Sequence, residues 1–256
     1  MKSIVIVGGS SGIGLATAQN LLDSDCVLTN ISRTPCAMAG VTNITADVTD
    51  AKELCAAINA VDRIDAIVYC AGASLAAPIE YVEHDDVDYV FNVNMIGAIE
   101  CIKAAIPRLN KSDNPKVVLL SSAGGIAPIA FDSFYSAAKA GLFALALSVR
   151  LECPKIKCTA VAVPATQTEF SFERKIYTDC GEYNKQLKSA SDALIKMEQT
   201  GYSAEYVGKR VAAILKKRNP PPKVTIGTKN KLMLFAYNLL PWRLKLYALR
   251  KIYDLK

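Results

Sequence analysis

Apolar runs of strand length alternate along this chain with stretches of helical periodicity. The strand-like runs are 3–8, 26–31, 43–46, 65–70, 116–121, 157–163 and 223–226, and helical spacing covers 12–23, 50–60, 85–110, 133–152 and 204–217. A run such as Ala66-Ile67-Val68-Tyr69 is apolar at every position rather than at alternate ones. Strands covered on both faces need that pattern, so the alternation predicts an α/β fold: one doubly wound parallel sheet with right-handed crossovers. Ligands of such sheets bind beyond the carboxyl ends of the strands. Asp50-x-x-Glu53 reads as a capping box, and Ser203 as an N-cap with Glu205 in the first turn that follows. Asn219-Pro220-Pro221-Pro222 is a stiff connector into the last strand.

The first strand runs straight into Gly8-Gly9-Ser10-Ser11-Gly12-Ile13-Gly14, and a helix-forming stretch follows at once. Glycines let a backbone turn tightly and approach a pyrophosphate, and a helix N-terminus directs unpaired N–H groups at the anion. The spacing is G-x-x-x-G-x-G, which differs from G-x-G-x-x-G. The order strand, glycine turn, helix predicts a nucleotide site at Gly8, Ser10, Ser11, Gly12, Ile13 and Gly14.

The 256 residues, 51% hydrophobic and 21% charged, fit one globular domain with a large core and argue against disorder. No basic-then-apolar leader and no uninterrupted apolar run of about 18 residues is found. The eight cysteines are scattered without a C-x-x-C pair, as reduced thiols of a cytoplasmic protein would be. The single histidine, His84, sits among acids, and no ligand cluster points to a metal.

Charge changes the picture at one end. From Glu205 onward thirteen Lys/Arg face two acids, so this segment carries +11 and the rest of the chain −5. No nucleic-acid-binding motif lies there, and apolar residues interleave with the cations, which suits an anionic membrane surface or a partner. Leu232, Phe235, Ala236, Leu239 and Leu240 fall on one helical face, Pro241 interrupts, and Trp242-Arg243-Leu244-Lys245-Leu246-Tyr247 starts a second stretch. The expected division is a body at 1–228 and basic amphipathic helices at 229–256. Those helices either cover the protein's own body, cleft or subunit interface, or form a peripheral membrane contact.

Tyr135 and Lys139 share a helical face at i, i+4, where an ammonium is expected to lower the tyrosine pKa. Ser122 ends the preceding strand. A second Y-x-x-x-K, Tyr247 to Lys251, lies outside the alternating core and reads as surface helix.

With these residues in place the sequence resembles the short-chain dehydrogenase/reductase family, in its short single-domain branch with a Rossmann-type sheet. The glycine turn matches its cofactor turn. Asp47-Val48 matches the pair at adenine, and Cys70-Ala71-Gly72 matches the N-A-G element, with Cys70 in place of asparagine. Asn94, Ser122, Tyr135 and Lys139 match the catalytic tetrad, and Thr168 matches a threonine at the nicotinamide amide. The resemblance implies hydride transfer between a nicotinamide and a carbonyl or carbinol carbon. Ser122 would polarise the carbonyl and Tyr135 deliver the proton. Lys139 would hold the ribose, and Asn94 would position a water. It also implies a homo-oligomer, a dimer or tetramer.

Two departures concern backbone and hydrogen bonding: Val7 replaces a threonine at the turn, and Val163-Pro164 stands where Pro-Gly is usual. The second strand ends in Ser32-Arg33 with no acid, which favours the 2′-phosphate of NADP(H) over NAD(H). The segment 165–202, with Phe170, Phe172, Ile176, Tyr177, Tyr183, Leu187, Leu194, Ile195 and Met197, and Phe131 and Phe134 before the tyrosine, suggests an apolar ketone or alcohol such as a steroid, bile acid or lipid. Rival readings are a non-catalytic NADP sensor, a reductase of a small polar or carrier-linked ketone, and an epimerase or dehydratase of the extended branch.

Overall fold

The computed structural model describes residues 1–22 and 24–255. Seven strands form the main sheet: β1 (Lys2–Val7), β2 (Cys26–Ser32), β3 (Val41–Thr45), β4 (Ala66–Tyr69), β5 (Lys116–Ser122), β6 (Lys157–Val163) and β7 (Lys223–Thr225). Their order is β7-β6-β5-β4-β1-β2-β3, and every neighbouring pair is parallel. The order reverses between β1 and β4, so a crevice opens at their carboxyl ends. The helices are α1 (Gly12–Leu22), α2 (Ala51–Asn59), α3 (His84–Phe91), α4 (Gly97–Leu109), α5 (Ser133–Glu152), α6 (Asn184–Gln199), α7 (Ala204–Lys216), α8 (Thr228–Leu239) and α9 (Trp242–Ile252). The expected end of the first helix at residue 23 lies outside the described residues.

Alternate residues of each strand supply two cores. Val5, Val7, Ile67, Tyr69, Val117 and Leu119 face α2, α4 and α5. Ile4, Ile6, Val68, Val118, Leu120 and Val161 face α1 and α7. This period-2 division explains why the strands read as unbroken apolar runs. Truncating one such side chain, Leu119 for instance, to alanine would cost about 2–5 kcal/mol. The stretches His84–Leu109 and Ser133–Glu152 are apolar and long enough to cross a membrane. Here their apolar sides pack on the sheet through Cys101, Ile102, Leu142 and Ala146.

The structure corrects two local expectations and adds two features that the sequence left open. The helix expected over 85–110 is broken by a π turn at Asn92–Ile96. There Gly97 N–H bonds Asn92 O, and the Val93 carbonyl takes the Tyr69 hydroxyl instead, at 2.7 Å. A π turn re-aims side chains, and functional sites often use one. Second, Asp50 caps α2 by accepting from Lys52 N and Glu53 N, but Glu53 reaches back to Asp47 N rather than to Asp50. Ser203 caps α7 as expected. Third, 165–202 is an ordered cover containing α6, tied down by two short parallel pairs: Thr166–Gln167 with Tyr202–Ser203, and Leu75–Ala76 with Lys175–Ile176. Fourth, the apolar stripe of α8 faces outward. Leu232, Phe235 and Leu239 are 63–70% exposed, whereas Asn230 and Leu234 are buried.

Candidate functional site

The glycine turn leaves β1 at the crevice. Gly8 (φ +81°) lies so close to the end of β4 that a Cβ would stand 2.8 Å from Ala71 N, and a Cβ on Gly14 would overlap Gly8 O. The turn is therefore bare backbone, open to an anion, with Ser10, Ser11, Gly12 and Ile13 at the start of α1. No acid occupies the first turn of α1 to oppose a pyrophosphate.

Asn30, which the sequence reading passed over, fixes this turn. Its Oδ1 accepts from Gly9 N at 2.9 Å, and its Nδ2 donates to Ser32 Oγ and Asn43 Oδ1. Asn43 in turn holds both backbone groups of Cys36. This relay links the glycine turn to the loop carrying Arg33. Ser32 lines the cavity, but its hydroxyl is committed to Thr34 O at 2.6 Å. Arg33 is exposed at the rim. Asp47 accepts from Thr49 N and Oγ1, and these bonds together with Arg33 outweigh burial and lower its pKa.

The second half of the site is built on α5. Ser121 Oγ donates to Lys139 O at 2.6 Å, and Lys139 Nζ donates to Leu120 O at 2.9 Å, docking the helix on the end of β5. Lys139 Nζ lies 5.5 Å from the centre of the Tyr135 ring. Ser122 Oγ accepts from Gly124 N at 3.0 Å. Burial pushes Tyr135 up to about 12, against the pull of the Ser122 hydroxyl, and pushes Lys139 down to about 8. The expectation that Lys139 lowers the tyrosine pKa is thus not met: burial dominates, and the groups that pull the other way are Ser122 and Arg174. At pH 7 the pair is a neutral phenol beside a cation. Burial also drives the Cys70 thiol up to about 12, so it adds no charge.

Asn94, presented by the π turn, is fully buried. Its Nδ2 donates to Ala73 O at 2.7 Å and Val90 O at 2.8 Å, so it clamps the segment after β4. The other predicted residues line one cavity of about 620 Å³, among them Val48, Cys70, Ala71, Gly72, Ser122, Tyr135, Lys139 and Thr168. Pro164 lines it too, and its carbonyl accepts from Thr166 Oγ1 at 2.7 Å. Tyr247 and Lys251 stay on the outside of α9.

Beyond the tetrad the cavity continues to side chains with no local sequence signal: Arg174 and Glu198 of the cover, and Met233, Tyr237, Leu249 and Tyr253 of the C-terminal segment. Of the aromatic set expected to bind substrate, Phe170 reaches the cavity with Leu194 and Met197, and Phe172 is exposed. Phe131, Tyr177, Tyr183 and Leu187 pack around Ala76 and Cys180 instead.

A family profile described as short chain dehydrogenase matches residues 2–176. The chain is 28% identical over 265 aligned residues to the 3-ketodihydrosphingosine reductase of Bacteroides thetaiotaomicron, covering 99% of this chain and 98% of that one. It is 25% identical over 211 residues to the 3-oxoacyl-[acyl-carrier-protein] reductase MabA of Mycobacterium tuberculosis, covering 81% and 83%. Among solved structures, a short-chain dehydrogenase from Streptomyces avermitilis superposes with a TM-score of 0.82 at 20% identity, over 99% of this chain and 98% of that one. The chain therefore belongs to the short-chain dehydrogenase/reductase family and is an NAD(P)-dependent oxidoreductase of CH–OH and keto groups.

Proposed function

We propose that the protein is an NADPH-dependent reductase of a long-chain, apolar ketone. The observation that carries this reading is the continuity of one cavity. It runs from the glycine turn, past Ser122 and Tyr135, to Leu194, Met197, Met233, Leu234, Leu249 and Ile252. The relative from Bacteroides thetaiotaomicron is named as a reductase of 3-ketodihydrosphingosine.

Bare backbone at Gly8 and Gly14 and the start of α1 fit a pyrophosphate, and Arg33 fits a 2′-phosphate. The cofactor, when bound, supplies the hydride. Ser122 donates to the substrate carbonyl oxygen, and the protonated Tyr135 gives that oxygen its proton as charge develops. Lys139 keeps a positive charge beside the phenol and would hold the cofactor's ribose. Asn94 is a positioning residue that holds the 72–73 backbone beside Lys139. A site with an intact acid, a polarising donor and a buried cation gives little use to a pure sensor.

A second part of the reading concerns presentation of the substrate. Leu232, Phe235, Leu239, Trp242 and Leu246 expose 61–76% of their surface on the outside of α8 and α9. Six cations and no acid accompany them between Thr228 and Ile252. Lys245 Nζ lies 4.8 Å from the Trp242 ring centre and 5.2 Å from that of Tyr237. Met233 and Ile252 belong both to this exposed face and to the cavity wall. We infer that the face docks on an anionic bilayer, with the cavity opening toward the lipid.

Tyr135→Phe is expected to retain NADPH binding and lose turnover about 100-fold or more, while Tyr247→Phe changes little. Steady-state rates with a long-chain ketone check both. For the wild type, kcat/KM should stay level near neutrality and fall as pH rises through about 8, where Lys139 loses its charge; a level profile to pH 10 contradicts this role. Arg33→Ala should raise the Kd for NADPH roughly tenfold, the worth of one charge-assisted phosphate contact, and leave that for NADH nearly unchanged. Equal losses would mean that Arg33 stacks on adenine. In co-sedimentation, full-length protein should bind phosphatidylglycerol vesicles, bind less with added salt, and lose binding when truncated after Thr228. Protein that stays in the supernatant at low salt contradicts the bilayer reading, and concentration-dependent self-association of the full chain alone would assign the face to a second copy.

A further inference from the structure

A buried polar cluster sits beside the tetrad and belongs to none of the roles above. The Arg174 side chain is 1% exposed. Its Nε donates to Ser74 Oγ at 2.8 Å, and its Nη1 and Nη2 donate to Glu198 Oε2 and Oε1 at 3.2 and 2.6 Å. Ser74 Oγ donates to Asp132 Oδ2 at 2.5 Å, and Leu75 N approaches Asp132 Oδ1 at 3.4 Å. Asp132 directly precedes α5, one turn before Tyr135. The cluster thus joins the cover, through Arg174 and Glu198, to the core under the reacting tyrosine.

Its charge does not balance. Two carboxylates, Asp132 and Glu198, share one guanidinium, and an uncompensated buried charge is costly. Burial pushes Asp132 up to about 6, with Glu198 adding to the effect. Both Tyr135 and Tyr253 are raised by burial first and by these two carboxylates after it. Glu198 and Arg174 line the cavity, as do Asn230 and Tyr253. One N–H of the Asn230 amide bonds Ile226 O at 3.1 Å, and its carbonyl oxygen has no protein partner among the described residues. Three of the five Arg174 N–H groups are engaged, so an incoming anion would find the guanidinium largely used and two carboxylates beside it. An incoming cation would find acceptors and an excess of negative charge.

Resting on the reading of the cavity as a ketone site, we propose that Glu198, held in place by Arg174, and Asn230 accept hydrogen bonds from an ammonium group close to the substrate carbonyl. The substrate class is then a long-chain amino ketone. Its apolar chain runs along Leu194, Met233 and Leu249, and its charged end is turned toward the cluster. Glu198 and Asn230 set specificity, and Arg174 is a positioning residue.

The test uses full-length protein, NADPH and three matched long-chain ketones bearing an amino group, a hydroxyl group or hydrogen on the carbon next to the carbonyl. At pH 7 the amino ketone is expected to show kcat/KM about tenfold or more above the hydroxy ketone, as charge-assisted hydrogen bonds allow. Glu198→Gln should collapse that ratio toward one. A measurement free of any folding defect is inhibition of the wild type: dodecylamine should compete with the ketone about tenfold more strongly than dodecanol. Equal kcat/KM for the three ketones, or equal inhibition by amine and alcohol, overturns the ammonium site and leaves the ketone reductase standing. No turnover of any of the three overturns both.

Discussion

Lys139 is the residue on which the site depends. Its ammonium is buried, bonded to Leu120 O, and its own carbonyl is bonded by Ser121. These two bonds lock the first turns of α5 to the carboxyl end of β5, so Tyr135 stands where the parallel sheet opens. Burial has a direction for each group. It drives the phenol up to about 12 and the ammonium down to about 8, leaving a neutral acid over a cation at physiological pH. An acid that keeps its proton until charge develops on a substrate oxygen suits reduction. The oxygen needs a partner on its other side, and Ser122 ends the same strand.

The rest of the molecule surrounds that spot. The Asn30–Asn43 relay stiffens the glycine turn from one side. Asn94, turned inward by the π segment, holds the backbone after β4 from another. The cover is pinned to the core where Arg174 meets Ser74, and Thr166–Gln167 pairs with Tyr202–Ser203 beside Pro164. Pro164 therefore does not leave its loop loose. Thr166 and Tyr202 hold it through the Pro164 and Ala165 carbonyls. The last two helices complete the wall with one face and expose leucines and aromatics on the other. The same segment thus serves the cavity and remains available to a surface.

Periodicity made the sheet and five of its helices legible, because burial on both faces leaves unbroken apolar runs. The glycine turn was legible because only bare backbone fits between β1 and Ala71. Tyr135, Lys139 and Ser122 were legible through one helical repeat and one strand end. What escaped depends on contacts between distant segments. The break at Asn92–Ile96 follows from the Tyr69 hydroxyl, which lies on β4. The Arg174–Glu198 pair spans 24 residues and Arg174–Ser74 spans 100, so no local spacing announces them. The apolar stripe of α8 was read correctly as a stripe, but periodicity cannot say whether a stripe faces the body or the outside. The tyrosine pKa was misread because a neighbouring ammonium is visible in sequence and desolvation is not.

The central claim is that a carbonyl carbon held between Ser122 and Tyr135 receives hydride while Tyr135 supplies the proton. Isotope transfer tests it most directly. The protein would be incubated with a long-chain ketone and NADPH carrying deuterium on one face of the nicotinamide C4, and each face would be labelled in turn. The account predicts that deuterium from one face only appears on the carbinol carbon of the product, as a single enantiomer. Product without deuterium from either face, or label from both faces alike, would contradict a fixed hydride-transfer site.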